Sequence, residues 1–326
     1  MTRKITFIII AVIPCLTGFN IWGFFAHQKI NELAIFSLPP EMFAFYKRNV
    51  IYITENAVNP DKRRYAVKSE GPKHYIDLDM YHKNNANRPP KYWNMAIEKY
   101  GIDSLLAKGI APWHIQLMKQ LLTKAFQEKN PKDILKYSTE IGHYLADIHV
   151  PLHTTSNYNG QLTNQHGIHG FWESRLPELF SKDYDFFVGK AIYINDTQET
   201  VWDIVMRSNE MVDSVLNIEK QLTIEFPPDK KYSFEERNGR LVKVYSKAFS
   251  TAYHNKLSGM VERRMRSSVH MISSFWYTCW VDAGQPNLDD LLDFKFSEEE
   301  IKIFQQESLK WQNKIYRGRD HEALEN

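Results

Sequence analysis

Apolar residues recur at spacings of three and four over 29–47, 115–128 and 134–149, and again over 199–219 and 245–282. That period gives a helix one buried face. Asn130-Pro131-Lys132-Asp133 marks the start of the third stretch, pairing a side-chain cap with a proline where a helix tolerates one. Gly284-Gln285-Pro286 closes the fifth. Strict alternation is scarce. Residues 233–244, with Asn238-Gly239 at their centre, fit either a small hairpin or a surface loop between helices. The pattern predicts an all-α fold with one multi-helix domain over 22–286. Pro39-Pro40, Arg88-Pro89-Pro90 and Pro227-Pro228 punctuate loops and divide no domains. Past Pro286 the chain turns polar, so 287–326 reads as a C-terminal extension. Within it, 297–309 is expected to form one more helix and 317–326 a frayed tail.

The N-terminus has a different pattern. Thr2-Arg3-Lys4 precedes an almost wholly apolar run over 5–19. This matches a secretory signal peptide over 1–21, and predicts an exported protein, periplasmic or secreted. The rival is an uncleaved membrane anchor, since the run continues through Phe25, although Pro14 and Asn20 weaken a span. Val12-Ile13-Pro14 is a poor context for lipid attachment at Cys15. With only Cys15 and Cys279 in the chain, removal of the signal leaves one thiol and no intrachain disulfide. Bound metal would fit as the stabiliser of an exported fold in that position. Lys plus Arg is 41 against 39 Asp plus Glu, a net charge of +2. That balance excludes a protein that coats a polyanion by bulk charge. Any nucleic-acid or lipid substrate needs a local site.

Twelve histidines are present, and five of them fall between His143 and His169. His143 and Asp147 are four apart, which puts them on one helix face, close enough to share a metal ion. His153 follows just past Pro151, where that helix must end or bend. His169 and Glu173 form a second pair at spacing four. Either pair alone is an ordinary surface ion pair. Their co-occurrence within about thirty residues points to a metal, because imidazole with carboxylate is a usual zinc set. His27, Asp61 and His74 stand upstream as further candidates, each readable alone as a loop or helix-end residue. His149 falls off the His143–Asp147 face. His166 is a possible substitute for His169. His82, His114, His254, His270 and His321 have no partner pattern.

The ordered set Trp22, His27, Asp61, His74, then His143-x-x-x-Asp147-x-x-x-x-x-His153 and His169-x-x-x-Glu173 resembles the phospholipase C/nuclease superfamily. That family comprises zinc phospholipases C and single-strand-specific zinc nucleases. Pro151-Leu152 before His153 and Trp172 before Glu173 also look like family features. The resemblance implies a helical fold of that type, with up to three zinc ions held between helices. Asp61, His74, His143 and Asp147 would hold one. Asp147 would bridge to a second, also held by His27 and by the amino terminus of a chain beginning at Trp22. His153, His169 and Glu173 would hold the third. The implied chemistry is phosphodiester hydrolysis by a metal-activated hydroxide, with the third ion neutralising the leaving oxygen. Asp61 would orient or deprotonate the water, and Arg64 would sit near the phosphate. Cleavage before Trp22 leaves Ile21 and Phe19 where a signal peptidase prefers small residues, which puts the terminal chelate in question.

Three functional readings follow. The five-residue step from Trp22 to His27 resembles the nucleases, and Tyr75 with Asp77 resembles their base-holding pair. Tyr75 would stack on a base and Asp77 accept from its amino group; the alternative is that Tyr75 packs in the core and Asp77 supports a ligand. Single-stranded nucleic acid would then be the substrate. The final Glu173 resembles the phospholipases instead, and Phe24, Phe25 and Phe171 would supply part of an apolar rim for a phospholipid. The third reading is a zinc-binding envelope protein without catalysis.

Overall fold

A computed structural model describes residues 23–81, 88–237 and 239–312. The expected signal or anchor segment over 1–21, Trp22, His82, Asn238, the tail over 317–326 and His321 lie outside the described residues. No described helix is long and apolar enough to cross a membrane.

The fold is predominantly helical, with one two-stranded antiparallel sheet. The stretch over 29–47 is two helices, α1 (Phe24–Ala34) and α2 (Pro40–Arg48), separated at Pro39-Pro40. A proline ring clashes with the preceding turn, so α2 has to start at Pro40. Short helices α3 (Val50–Asn56) and α4 (Asn59–Arg63) follow, then α5 (Trp93–Tyr100) and α6 (Ile102–Lys108). The long pair α7 (Ala111–Gln127) and α8 (Pro131–Asp147) match expectation. The Asn130 side chain caps α8 by accepting from the Asp133 N–H at 3.2 Å. One helical run then passes through α9 (Ile168–Gly170), a π turn over Phe171–Arg175 and α10 (Leu176–Phe180).

The stretch over 199–219 divides into α11 (Thr197–Asn209) and α12 (Val212–Glu225). Strands β1 (Tyr232–Arg237) and β2 (Arg240–Tyr245) pair from Tyr232 opposite Tyr245 to Arg237 opposite Arg240. The hairpin reading therefore holds over the loop. The stretch over 245–282 also divides, into α13 (Lys247–Lys256) and α14 (Met260–Asp282). Ser258 and Gly259 both take positive φ, 50° and 76°, at the break. Helix α15 (Glu298–Gln312) fulfils the expectation for 297–309.

Helix α14 packs on α1, α7 and α8 to form the centre of the core. Trp276 stacks on Tyr46 with ring centroids 4.9 Å apart and donates from Nε1 to the Ser138 carbonyl at 3.0 Å. Every residue of α8 from Ser138 to Asp147 is buried, including Glu140, His143 and Asp147. Burying polar side chains without partners costs several kcal/mol each, roughly 2–7. The partners of α8 define the functional site.

Candidate metal centre

Eight of the expected ligands meet in one buried place. His27 comes from α1, Asp61 from α4, His74 from the 3-10 turn Gly71–His74, and His143 and Asp147 from α8. His153 comes from the 3-10 turn Pro151–Thr154, His169 from α9, and Glu173 from the π turn. Four overlapping groups can each hold a metal ion: His27–Asp61–His143, His74–His143–Asp147, His27–Asp147–Glu173 and His153–His169–Glu173. A π turn inside a helix is a frequent mark of a functional position, and here it carries Glu173.

The two oxygens of Asp147 face opposite sides of the cluster. Oδ2 lies 2.9 Å from His74 Nδ1 and 3.3 Å from His143 Nε2, while Oδ1 lies 3.3 Å from His27 Nε2. Glu173 is also two-sided, which the sequence did not suggest. Its Oε2 lies 2.7 Å from His169 Nε2 and 3.2 Å from His153 Nε2, and its Oε1 lies 3.4 Å from His27 Nε2. Gly23 packs against this carboxylate: a Cβ there would stand 3.3 Å from Oε1, and φ is +105°. Only glycine takes that approach in that conformation without strain.

Proton positions test whether the cluster suits a cation. His143 Nδ1 lies 2.8 Å from the Ala57 carbonyl, and His153 Nδ1 lies 2.6 Å from the His74 carbonyl. A carbonyl only accepts, so both Nδ1 atoms carry protons. In the neutral ring this leaves a lone pair on each Nε2. The Nε2 of His143 points at His74 Nδ1, 3.1 Å away, and that of His153 at His169 Nε2, 2.9 Å away. Both also face carboxylate oxygens. Lone pairs directed at anions repel unless a proton or a metal ion lies between them. Asp147 Oδ1, His27 Nδ1 and His74 Nε2 are buried without a hydrogen-bond partner. Glu70 Oε1 stands 3.8 Å from that His74 Nε2, a carboxylate placed behind a ligand imidazole.

Charge follows the same logic. Burial opposes protonation of His27, yet the adjoining carboxylates of Asp147 and Glu173 override it and hold its pKa well above the ordinary value. Burial likewise opposes His153, and the charges of Asp147 and Glu173 override it upward. Burial would raise Asp147 and Glu173, but the surrounding histidines pull both well below the usual carboxylate range. Without a cation the cluster keeps its carboxylates ionised by protonating imidazoles. A divalent ion would take the place of those protons, so the donor set fits a metal.

A cleft opens on this centre, lined by Arg64, His74, Tyr75, Leu152, His153, Tyr158 and His169. Arg64 Nη1 lies 3.8 Å from Asp61 Oδ1, and Nη2 donates to the Tyr65 hydroxyl at 2.7 Å. Tyr75 is in the cleft wall, whereas Asp77 is buried and is not among the lining residues. Tyr158 was not foreseen; its ring meets His169 edge-on at 6.0 Å, and nothing in its sequence context marks it. Of the three rim phenylalanines only Phe25 is exposed. Phe24 and Phe171 are buried, and Phe171 stacks on Tyr245 at 3.8 Å. That corrects the expected apolar rim, because the π turn directs Phe171 into the core.

The other described histidines take structural or surface places. His166 is exposed, His149 hydrogen-bonds the Leu145 carbonyl at 2.7 Å, His254 meets the Tyr184 hydroxyl at 2.7 Å, and His270 meets the Lys190 carbonyl at 3.1 Å. His114 is buried edge-on against Tyr144, and burial pushes its pKa down to about 3. Cys279 is a free, buried thiol. No protein-family model matches the chain, and no curated protein matches it.

Proposed function

We propose that this chain is an exported zinc-dependent phosphodiester hydrolase with nuclease-like substrate choice. The observation that carries the reading is the pair of carbonyl-locked imidazoles, His143 and His153, with Nε2 atoms turned toward carboxylates. Zinc prefers imidazole and carboxylate at about 2.0–2.1 Å in a tetrahedron, whose edges are then roughly 3.3 Å. Donor separations of 2.9, 3.1 and 3.3 Å among His74, His143 and Asp147 fit that spacing. When bound, zinc supplies Lewis acidity that activates water and neutralises charge on phosphate oxygens.

The chain's own residues do the rest. Arg64, half-buried at the cleft, presents a guanidinium suited to a phosphodiester oxygen. Asp61, 3.8 Å from both His74 Nδ1 and His143 Nε2, is placed to accept a proton from water at its Oδ1. Tyr75 and Tyr158 give the cleft aromatic walls on which a base can stack. The buried Phe24 and Phe171 remove most of the rim that a phospholipid substrate would need.

The test compares three substrates at equal enzyme concentration: a small aryl phosphodiester, single-stranded DNA and phosphatidylcholine vesicles. Hydrolysis of the first two, with DNA ahead of phosphatidylcholine, is expected. No hydrolysis of any would leave a non-catalytic zinc protein, and preference for phosphatidylcholine would transfer the reading to a phospholipase. Tyr75→Ala should cost DNA hydrolysis about 1–3 kcal/mol, the worth of one stacked base, and spare the aryl ester. Equal loss on both would assign Tyr75 to packing.

A further inference from the structure

The chain segments that carry Asp61, His74, His143 and Asp147 meet again outside the metal centre, at Arg63. From the C-terminal end of α4, two residues past Asp61, its guanidinium forks onto Glu70, with Nε to Oε2 at 3.0 Å and Nη2 to Oε1 at 3.1 Å. Nη1 donates to Glu140 Oε1 at 2.9 Å and Nη2 to the Tyr144 hydroxyl at 3.3 Å. Glu70 also accepts from Lys73 Nζ at 2.9 Å and from the Tyr144 hydroxyl. Glu70 is four residues before His74. Glu140 and Tyr144 flank His143 on α8. One side chain therefore ties together all three segments that bring the first group of ligands. A planar five-donor fork does this in a way a lysine cannot.

The open face of that guanidinium is covered by the C-terminal extension. Trp311, on the last turn of α15, lies over Arg63 with its ring centroid 6.0 Å from Cζ. Helix α15 packs on α4, and its half-buried side chains include Glu300, Phe304 and Trp311. Glu300 pairs with Lys132 at 2.8 Å, and Phe304 and Phe296 close around Tyr52 of α3 at 6.3 and 4.8 Å. Excluding water from Arg63 strengthens its ion pairs with Glu70 and Glu140.

We propose that α15 is a clasp on the metal centre: Trp311 shields the Arg63 hub, and Arg63 is a positioning residue that sets the affinity of the Asp61–His74–His143–Asp147 group. This rests on the zinc reading above. Its consequence is selective, because among the described residues His153, His169 and Glu173 bond to one another and to His27 and the His74 carbonyl, not to Arg63, Glu70, Glu140 or Tyr144.

The experiment uses the full chain, loaded with zinc and equilibrated in zinc buffers of graded free concentration, with retained zinc counted per chain. His169→Ala marks the step that belongs to the second group. Trp311→Ala is expected to weaken the other step by about tenfold, the usual cost of a lost outer partner of a metal ligand, and to leave the His169 step in place. Trp311→Phe should restore it, and Arg63→Lys should weaken the same step. Equal retention in Trp311→Ala and the parent overturns the clasp, as does equal weakening of both steps, which would mean general loosening. A parent chain that binds no zinc at all overturns the zinc reading, and the clasp with it.

Discussion

The atoms that argue most for a metal are two backbone carbonyls. Ala57 and His74 fix the protons of His143 and His153 on Nδ1, and everything else about those rings follows. Carbonyl partners have no sequence signature, so spacing alone could nominate the histidines without assigning their tautomers. Glu70 was visible in the sequence, four residues before His74, but an isolated carboxylate in a loop signals nothing until Arg63 and Tyr144 surround it. Asp147 is the residue on which two ion groups depend, since its two oxygens face His74 and His27 separately. Asp147→Asn keeps the shape and removes the charge. It is expected to lower zinc content by about one ion or more per chain and to cut hydrolysis by more than the 10–100-fold typical of outer partners. Elemental analysis and an aryl phosphodiester assay read both quantities. Unchanged zinc with unchanged rate would show that Asp147 does not bridge.

At the scale of elements, long apolar periodicity was legible and its interruptions were not. The three stretches over 29–47, 199–219 and 245–282 are each two helices, because the buried face stays in phase across the break while the backbone turns. Ser258-Gly259 is such a break; its positive φ values leave no mark on hydrophobic spacing. The hairpin was legible from Asn238-Gly239, but its use was not: Glu235 of β1 pairs with Arg175, two residues after Glu173, at 2.9 Å to Nη1. The hairpin therefore braces the π turn. Gly109, between α6 and α7, has a similar positioning role. A Cβ there would stand 2.2 Å from the Tyr75 carbonyl and 2.5 Å from its ring, at φ +88°. Backbone this close cannot yield cheaply, and the strained conformation alone costs about 1–3 kcal/mol in a non-glycine residue. Gly109→Ala should therefore lower the denaturant midpoint and displace Tyr75, weakening DNA hydrolysis more than aryl-ester hydrolysis. A variant with a lowered midpoint and both activities reduced alike would detach Tyr75 from base binding.

The whole molecule is organised around a polar centre that its apolar core cannot stabilise alone. Helices α1, α4, α8 and α9 converge there, and α14 buttresses α1 and α8 from the other side. Three carboxylates and five imidazoles meet there, His169 half-buried and the others largely out of solvent, with few neutralising cations of their own. The order of ligands along the chain was legible. The packing of the polar extension was not, because Phe296, Phe304 and Trp311 are too sparse in 287–312 to announce a docked helix. There is no disulfide among the described residues, and on the proposed reading a metal would be the cross-link between segments that lie far apart in sequence. Each ion that binds only the folded chain adds about 2.7 kcal/mol when free zinc is a hundredfold above its dissociation constant. Chelation should therefore lower the unfolding temperature and blunt the cooperativity of the transition, and zinc should restore both while magnesium does not, since imidazole donors disfavour it. Calorimetry on matched zinc-loaded and zinc-stripped protein checks this. Stripping that takes zinc to zero without moving the transition would mean that protonated histidines alone balance Asp61, Asp147 and Glu173. The centre would then be a buried ion-pair network, and its stability would fall as rising pH removed the protons that His27 and His153 hold above their ordinary pKa.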